Sequence, residues 1–325
     1  MFLLYFIIIR VTKYKLLLLL PVLIFATFFY FSRQQLTPST VSLPSYHPLS
    51  INALRSRQYS SEPLKKLSST VIQYSSDGLA QRALMLTPSG SPPAGGWPVV
   101  IVNHGHIPEF EYSTERSYIN TSRYFASQGF LVLKPDYRGH DLSAGYASGR
   151  LLARSEFAVD VLNLLSTLKS IPNVNQNRIF MYGHSMGGEI SLMVMESVPF
   201  IRAATLWAPS TTTFPEIVLH FVQNRSSTKK DLETFTTQYS EFVNQYPIAQ
   251  ISAIENLDYI NTPIIIHHST TDESVPYEWG VTLFDKLKAL NKSVSFYEYV
   301  GDNHDISGHW SQALSRDVEF FNSFK

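Results

Sequence analysis

The segment Arg178–Ile190, which reads RIFMYGHSMGGEI, limits the possible folds more than any other stretch of the chain. The apolar run Ile179–Tyr182 is typical of a buried strand, and the run from Glu189 to Val198 predicts a helix. Gly-His-Ser-Met-Gly between them is a G-x-S-x-G pattern, which in this context predicts a nucleophile elbow with Ser185 at its apex. Such a turn strains the serine backbone, so the neighbouring positions must lack side chains that would clash.

The pattern alone is weak evidence for catalysis, because a serine between glycines also suits a helix N-cap. A serine hydroxyl becomes a good nucleophile only when a base removes its proton, and the base needs a partner that fixes its tautomer. Catalysis therefore requires an acid and then a histidine later in the chain, at the carboxyl ends of strands.

Asp272 is the preferred acid, because it follows a predicted strand and precedes Val-Pro. The adjacent Glu273 is its main rival, and Asp258 is expected to be structural. His304 directly follows the last predicted strand and is the preferred base. Its rival, His309, is expected at the start of the final helix. The order serine, acid, histidine is thus complete.

Two N–H groups should point at the oxygen that becomes charged during the attack. The first is the backbone N–H of Met186, the residue after the nucleophile. The second should come from the loop after the strand Pro98–Asn103, and the backbone N–H of His106 is the candidate. The His106 side chain is alternatively expected to line the pocket.

After an initial hairpin, apolar runs and helical patterns alternate along the chain. The predicted strands are Leu67–Tyr74, Leu79–Leu86, Pro98–Asn103, Phe130–Pro135, Ile179–Tyr182, Ala203–Trp207, Ile264–His267 and Val294–Val300. The predicted helices are Ser117–Gln128, Glu156–Ser170, Glu189–Val198, Tyr277–Leu290 and Ser311–Phe324. This alternation predicts an α/β fold with a mostly parallel sheet, helices on both faces and an antiparallel edge. Residues 209–262 interrupt it and are expected to form a small helical cap, or else a surface excursion without substrate contact.

The amino-terminal region is expected to anchor the protein in a membrane. Leu16–Phe31 is apolar and free of charge, and Arg10, Lys13 and Lys15 precede it. The positive-inside rule then predicts a single-pass protein with its catalytic domain outside the cytoplasm. A cleaved signal peptide is the alternative. The predicted organisation is a cytoplasmic stub and transmembrane helix over 1–33, a linker rich in Pro, Ser and Thr over 34–66, and a hydrolase domain over 67–325.

Composition excludes several function classes. The 26 basic and 26 acidic residues give zero net charge, so nucleic acid is not an expected partner. There is no cysteine, which excludes disulfides, thiolate catalysis and cysteine zinc sites. Several histidines fall near predicted strand ends, but none shows the i, i+4 spacing of a helical zinc site. Neither a metal nor another cofactor is therefore expected.

The motifs together resemble those of an α/β hydrolase, and they are most similar to the catalytic domain of the prolyl oligopeptidase (S9) family and its esterase relatives. The matching motifs are Asn103-His-Gly-His106, Asp136-Tyr-Arg-Gly139, Gly183-His-Ser-Met-Gly-Gly188, Asp272 with Val275-Pro276, and Gly301-Asp-Asn-His304. The resemblance covers roughly Ser69 to Lys325. His106 departs from the glycine usual at its position, and an anchor and tether replace the large gating domain of propeller-bearing members.

The resemblance implies a serine hydrolase acting on a small ester or a short peptide. The departure from the propeller-bearing members argues against oligopeptide cleavage and leaves an esterase or a small-peptide hydrolase open. Of these two, carboxylic-ester hydrolysis is modestly favoured. A degenerate hydrolase fold used only for binding is the alternative from another class. It is disfavoured, since such a copy is expected to have lost a member of the triad, and all three candidates are present.

Overall fold

The computed structural model describes residues 46–59, 62–224 and 229–324. The strands of this part of the chain are β1 (Lys65–Lys66), β2 (Val71–Ser76), β3 (Leu79–Leu86), β4 (Trp97–Asn103), β5 (Leu131–Pro135), β6 (Val174–His184), β7 (Ala203–Trp207), β8 (Ile264–Ser269) and β9 (Val294–Tyr299). The α-helices are α1 (Ile51–Ser56), α2 (Ile119–Ser127), α3 (Ala153–Thr167), α4 (Met186–Ser197), α5 (Glu216–Asn224), α6 (Lys229–Val243), α7 (Tyr277–Ala289) and α8 (Trp310–Asn322). Every strand and helix predicted for residues 67–325 is present.

The strands of the described residues form one sheet in the order β1-β2-β3-β5-β4-β6-β7-β8-β9. Pairing is antiparallel from β1 to β3 and between β3 and β5, and parallel everywhere else. Asp77 and Gly78, with φ of 53° and 78°, form the tight turn of the β2–β3 hairpin. The prediction of a mostly parallel sheet with an antiparallel edge is confirmed.

Helices cover both faces of the sheet, which explains why its central strands are apolar throughout. β4 is buried along its whole length. On one face α1, α3, α4 and α7 contribute to a core that includes Phe157, Ile190 and Leu283. On the other face α2 and α8 pack through Phe125 and Phe321. The parallel strands all end at one edge, and the candidate site lies there.

Helix α1 lies within the segment predicted as a linker. Ser50 caps it by accepting a hydrogen bond of 3.1 Å from the Ala53 N–H. Ile51 and Leu54, 1% and 0% exposed, insert into the core. The predicted linker over residues 34–66 therefore differs from the structure in its second half, and the compact unit begins at Tyr46. Two apolar residues in a single helical turn are too few to show a helical period in the sequence.

The insert after β7 contains α5 and α6, followed by short 3₁₀ turns between Ile248 and Tyr259. Its apolar side chains form a cluster of their own that includes Val218, Val222 and Phe235. Trp279 of α7 joins this cluster and ties the insert to the main domain.

Within the described ranges, no helix combines the length and the apolar character needed to cross a bilayer. The predicted membrane helix lies outside the described residues.

Candidate active site

Ser185 occupies a sharp turn between β6 and α4, with φ of 54° and ψ of −121°. The flanking glycines are required by close packing. A Cβ on Gly187 would lie 2.0 Å from the Asn103 carbonyl oxygen, and one on Gly183 would lie 2.4 Å from Ser191 Oγ. Ser185 donates its N–H to the Trp207 carbonyl at 2.9 Å. The geometry is that of a strained serine held between a strand and a helix, as the sequence pattern predicts.

The predicted acid and base are in direct contact. His304 Nδ1 lies 2.8 Å from Asp272 Oδ2 and 3.0 Å from Oδ1. Asp272 Oδ1 also accepts the backbone N–H groups of Ser274 and Val275, both at 2.8 Å. Burial opposes ionisation of Asp272, but hydrogen bonds from His268 and His304 hold its pKa well below the usual range. The carboxylate therefore stays charged and fixes the proton of His304 on Nδ1.

A second histidine binds the same carboxylate. His268 Nε2 lies 3.2 Å from Asp272 Oδ2, and the His268 side chain is fully buried. Helix α7 passes so close to this ring that a Cβ on Gly280 would lie 2.2 Å from its Nδ1. Gly280 thus leaves room for the ring that orients the acid. In the sequence His268 is one of several histidines near predicted strand ends, and no local pattern indicates this contact.

The two rivals occupy other positions. Glu273 accepts the backbone N–H of His304 at 3.0 Å and so holds the loop of the base rather than its ring. His309 Nδ1 pairs with Asp302 Oδ2 at 2.8 Å, with the His309 side chain 48% exposed. Neither rival makes the contact that Asp272 and His304 make with each other.

His184 joins the nucleophile loop to the loops on either side of it. Its Nδ1 lies 2.5 Å from the Tyr118 hydroxyl, and its Nε2 lies 3.2 Å from the His304 carbonyl oxygen. The Tyr118 hydroxyl accepts the Gly105 N–H at 2.9 Å, so its own proton is directed to His184 Nδ1. His184 Nε2 then carries a proton for the His304 carbonyl. Burial lowers the pKa of His184 to about 4, which keeps the ring in the neutral form that this chain of bonds requires.

A hydrogen bond between Ser185 Oγ and His304 is not among those formed by the described residues. Such catalytic contacts are often long without substrate and tighten when it binds. The rings of His184 and His304 are 4.7 Å apart, which brings the base loop next to the nucleophile.

The predicted oxyanion residues lie beside Ser185. Met186 is the first residue of α4, so its N–H belongs to the positive end of that helix. His106 follows Gly105, where an added Cβ would lie 3.2 Å from Ser185 Cβ and 2.7 Å from the Tyr118 hydroxyl. The absence of a side chain at Gly105 lets this loop approach the nucleophile. That Met186 and His106 donate to an oxyanion remains a prediction.

Ser185 opens into a cavity of about 460 Å³ that Met186 and His106 also line. Its walls are largely apolar and include Phe157 and, from the insert, Val218 and Phe221. The insert thus forms part of the cavity wall. His304 is not among the residues that line this cavity.

The remaining histidines at this edge are engaged in packing. His104 is stacked between Tyr112 and Tyr137, with ring centroids 4.4 Å and 4.2 Å away. His267 is buried, with Nδ1 2.7 Å from the Tyr299 hydroxyl and Nε2 2.9 Å from Asp317. Among the residues that the structure describes, no group of three or more His, Asp or Glu side chains is arranged to hold a metal ion.

Comparison with known proteins gives matches to one family and to several relatives. The profile of the Peptidase_S9 family, the prolyl oligopeptidase family, matches residues 116–324. The chain is 23% identical to the "Uncharacterized peptidase YtmA" of Bacillus subtilis over 180 residues, which cover 55% of this chain and 66% of YtmA. It is 23% identical to the acylamino-acid-releasing enzyme of Mus musculus over 239 residues, which cover 69% of this chain and 31% of that enzyme.

Solved structures identify the fold. Est1E from Butyrivibrio proteoclasticus superposes with a TM-score of 0.57 and 21% identity, over 78% of this chain and 98% of Est1E. The alpha/beta hydrolase GrgF from Penicillium superposes with a TM-score of 0.57 and 18% identity, over 78% of this chain and 98% of GrgF. The chain therefore has the α/β-hydrolase fold. It spans less than two thirds of the length of its curated relatives, 66% of YtmA and 31% of the mouse enzyme.

Proposed function

Because the chain belongs to the prolyl oligopeptidase family and is a serine hydrolase, we propose that it cleaves an ester or amide bond through an acyl-enzyme on Ser185. The observation that carries this proposal is the ionised Asp272 bound to His304 Nδ1 at 2.8 Å, beside a strained serine that opens into a cavity.

The reaction begins when Ser185 Oγ attacks the substrate carbonyl carbon and His304 Nε2 takes the hydroxyl proton. Asp272 stabilises the imidazolium that forms, and the N–H groups of Met186 and His106 receive the negative oxygen. His304 then protonates the leaving alcohol or amine as the bond to it breaks. A water molecule, deprotonated by the same histidine, attacks the acyl carbon and releases the acid, which restores Ser185.

The shape of the cavity supports a small substrate. A volume of about 460 Å³ with largely apolar walls suits a short acyl group or a short peptide. Because the leaving group must reach His304, which lies outside the lining residues, the cavity is the place of the acyl group. We favour a carboxylic ester. Cleavage of short peptides is the second candidate, supported by relatives named as peptidases.

A fluorophosphonate probe tests the nucleophile. We expect the wild-type protein to be labelled and Ser185→Ala to remain unlabelled while keeping its circular dichroism spectrum. Absence of labelling in the folded wild-type protein would favour a binding module without catalysis. A panel of acyl esters and aminoacyl amides then separates esterase from peptidase, since only a peptidase should hydrolyse the amides at a comparable rate.

We also propose that Leu16–Phe31 anchors the protein in a membrane, with the catalytic domain outside the cytoplasm. The support is the charge-free apolar run and the basic residues Arg10, Lys13 and Lys15 ahead of it. A reporter that is active only in the cytoplasm, fused after Lys325, should stay silent. A bright reporter would contradict the orientation.

A further inference from the structure

The wall of the acyl cavity carries a guanidinium that hydrolysis does not require. Arg154 lies in the first turn of α3 and lines the same cavity as Ser185, with its side chain 13% exposed. A cation in the first turn opposes the helix dipole, so its position does not serve the stability of α3.

The guanidinium of Arg154 is paired with a buried carboxylate, that of Glu189. Arg154 Nε forms an ion pair with Glu189 Oε2, and the Glu189 side chain is 1% exposed. Burial raises the pKa of Glu189 to about 7, although the charge of Arg154 opposes the shift. Glu189 follows Ser185 by four positions on α4, so its backbone lies about one helical turn, roughly 6 Å, along the helix axis from that of the nucleophile.

The guanidinium of Arg154 also approaches an aromatic side chain of the cavity wall. Its central carbon lies 5.9 Å from the centre of the Phe221 ring, which belongs to the insert. Apart from the ion pair with Glu189 and this aromatic contact, the described residues give Arg154 no further bonded partner. A guanidinium has five N–H donors in a planar fork, more than one carboxylate engages even in a bidentate pair. Donors of Arg154 therefore remain for a ligand in the cavity that this residue lines.

We propose that Arg154 binds a carboxylate at the far end of the substrate's acyl group, which makes the substrate an ester of a short dicarboxylic acid. This inference rests on the proposed hydrolase function. A short apolar chain, as in a glutaryl group, would join the ester carbonyl at Ser185 to this carboxylate within the one cavity, whose wall includes Phe157 and Phe221. The terminal carboxylate then meets the planar fork that binds carboxylates in a bidentate manner.

The test uses two esters of equal shape, the 4-nitrophenyl monoesters of glutaric acid and of glutaramic acid, in which a neutral amide replaces the carboxylate. We expect wild-type kcat/KM to be at least about tenfold higher for the acid, the effect of a hydrogen-bonded charge. Arg154→Met should remove this preference and retain hydrolysis of the amide. Arg154→Lys, which keeps the charge without the fork, should retain part of it.

Two further variants extend the test. One should increase the preference for the acid, and the other is a control that should leave it unchanged. Glu189→Gln removes the carboxylate that competes for Arg154, so it should increase the preference for the acid. Arg150 is an exposed arginine on the same cavity, and Arg150→Met should leave the preference in place. Loss of the preference in Arg150→Met but not in Arg154→Met would overturn the proposal.

The two possible failures are distinguishable. If the wild-type protein is labelled and hydrolyses both esters equally well, the recognition of a carboxylate is wrong and the hydrolase function stands. If labelling and hydrolysis both fail, calorimetry with Ser185→Ala decides. Monomethyl glutarate should bind at least about tenfold more tightly than methyl glutaramate, and equal affinities would overturn the proposal.

Discussion

Asp136 and Asp272 follow parallel strands, β5 and β8, at the same edge of the sheet, and both side chains have no solvent exposure. The pKa values of the two carboxyl groups are shifted in opposite directions. Burial raises the pKa of Asp136 to about 7, whereas hydrogen bonds to two histidines overcome burial and hold the pKa of Asp272 well below its usual range. Burial alone therefore does not decide the charge of an aspartate in this fold.

The difference lies in the groups that face each carboxylate. Asp136 accepts hydrogen bonds from the hydroxyls of Tyr112 and Thr114, and the buried Lys134 ammonium contacts the Tyr112 hydroxyl at 2.5 Å. Asp272 instead accepts two backbone N–H groups and two imidazoles. Only a carboxylate that remains ionised can stabilise an imidazolium during catalysis. The Asp272 contribution to stability is present above pH 3.8 and is lost as the pH falls through its lowered pKa.

The largest expected effect is on catalysis at Asp272. Asp272→Asn should keep the fold and lower kcat by about 10⁴-fold, because an amide favours the wrong tautomer of the base. The measurement is kcat on an acyl ester, with circular dichroism as the check on folding. Asp136→Asn is the matched control, the same substitution at the other buried aspartate, and should retain most of the rate per folded molecule. Equal losses in both variants would contradict the distinction between the two sites.

The second effect is on stability at the Asp136 cluster. Lys134→Met should destabilise the fold by about 3 kcal/mol, because it removes the cation from a buried polar network, and should leave kcat of the folded protein unchanged. Urea unfolding at two pH values checks this. Unchanged stability, or a loss of kcat as large as that of Asp272→Asn, would show that the two clusters are not separate in role.

The destabilisation should grow with pH. Burial lowers the pKa of Lys134 from 10.5 to about 8, so between these values the unfolded state binds a proton that the folded state does not. Wild-type stability therefore gains with rising pH across this range, and the variant lacks that gain. Loss of the ammonium also raises the pKa of Asp136 further, which extends the range in which ionisation of the carboxyl opposes folding. The difference should be larger at pH 9 than at pH 6.

The sequence predicted the parts of the site that short motifs encode. Ser185, Asp272 and His304 each follow a strand, and a loop after a parallel strand can end only at one edge of the sheet. The strands and helices could also be predicted, because the periodic pattern of their apolar residues extends over enough positions to distinguish a helix from a strand. The roles of the three residues in catalysis stay predictions.

The sequence did not predict contacts between distant segments. His268 contacts Asp272 beside α7, where Gly280 leaves room for its ring. Tyr118, which contacts His184, has a positive φ of 55° that the sequence does not indicate. The ion pair of Arg154 and Glu189 joins two helices whose packing no local pattern specifies. The opposite pKa shifts of Asp136 and Asp272 likewise depend on neighbouring groups that come from distant parts of the chain.

A smaller effect is expected at Gly280, which leaves room for the His268 ring that contacts Asp272. Gly280→Ala places a methyl group 2.2 Å from the position of His268 Nδ1, so the ring must move and Asp272 with it. We expect kcat to fall by roughly tenfold to a hundredfold, the cost of misplacing a catalytic group. In a His268→Ala background the same change should add little, since the ring is gone. An unchanged kcat in Gly280→Ala would show that His268 does not position the acid.

The smallest effect is expected at a third aspartate, Asp302, which pairs with a histidine at the same distance as the candidate catalytic pair. Asp302 and His309 lie 2.8 Å apart, the same distance as Asp272 and His304, but the His309 side chain is 48% exposed and that of His304 is 14% exposed. An exposed ion pair is worth less than about 1 kcal/mol, so His309→Ala should change stability by no more than this. It should also leave kcat unaltered, because the His309 ring contacts Asp302 and has no path to Asp272. His304→Ala measured in the same assay should remove nearly all activity. If His309→Ala is the inactive variant instead, the base has been assigned to the wrong pair, and the contrast between Asp136 and Asp272 no longer separates a structural from a catalytic aspartate.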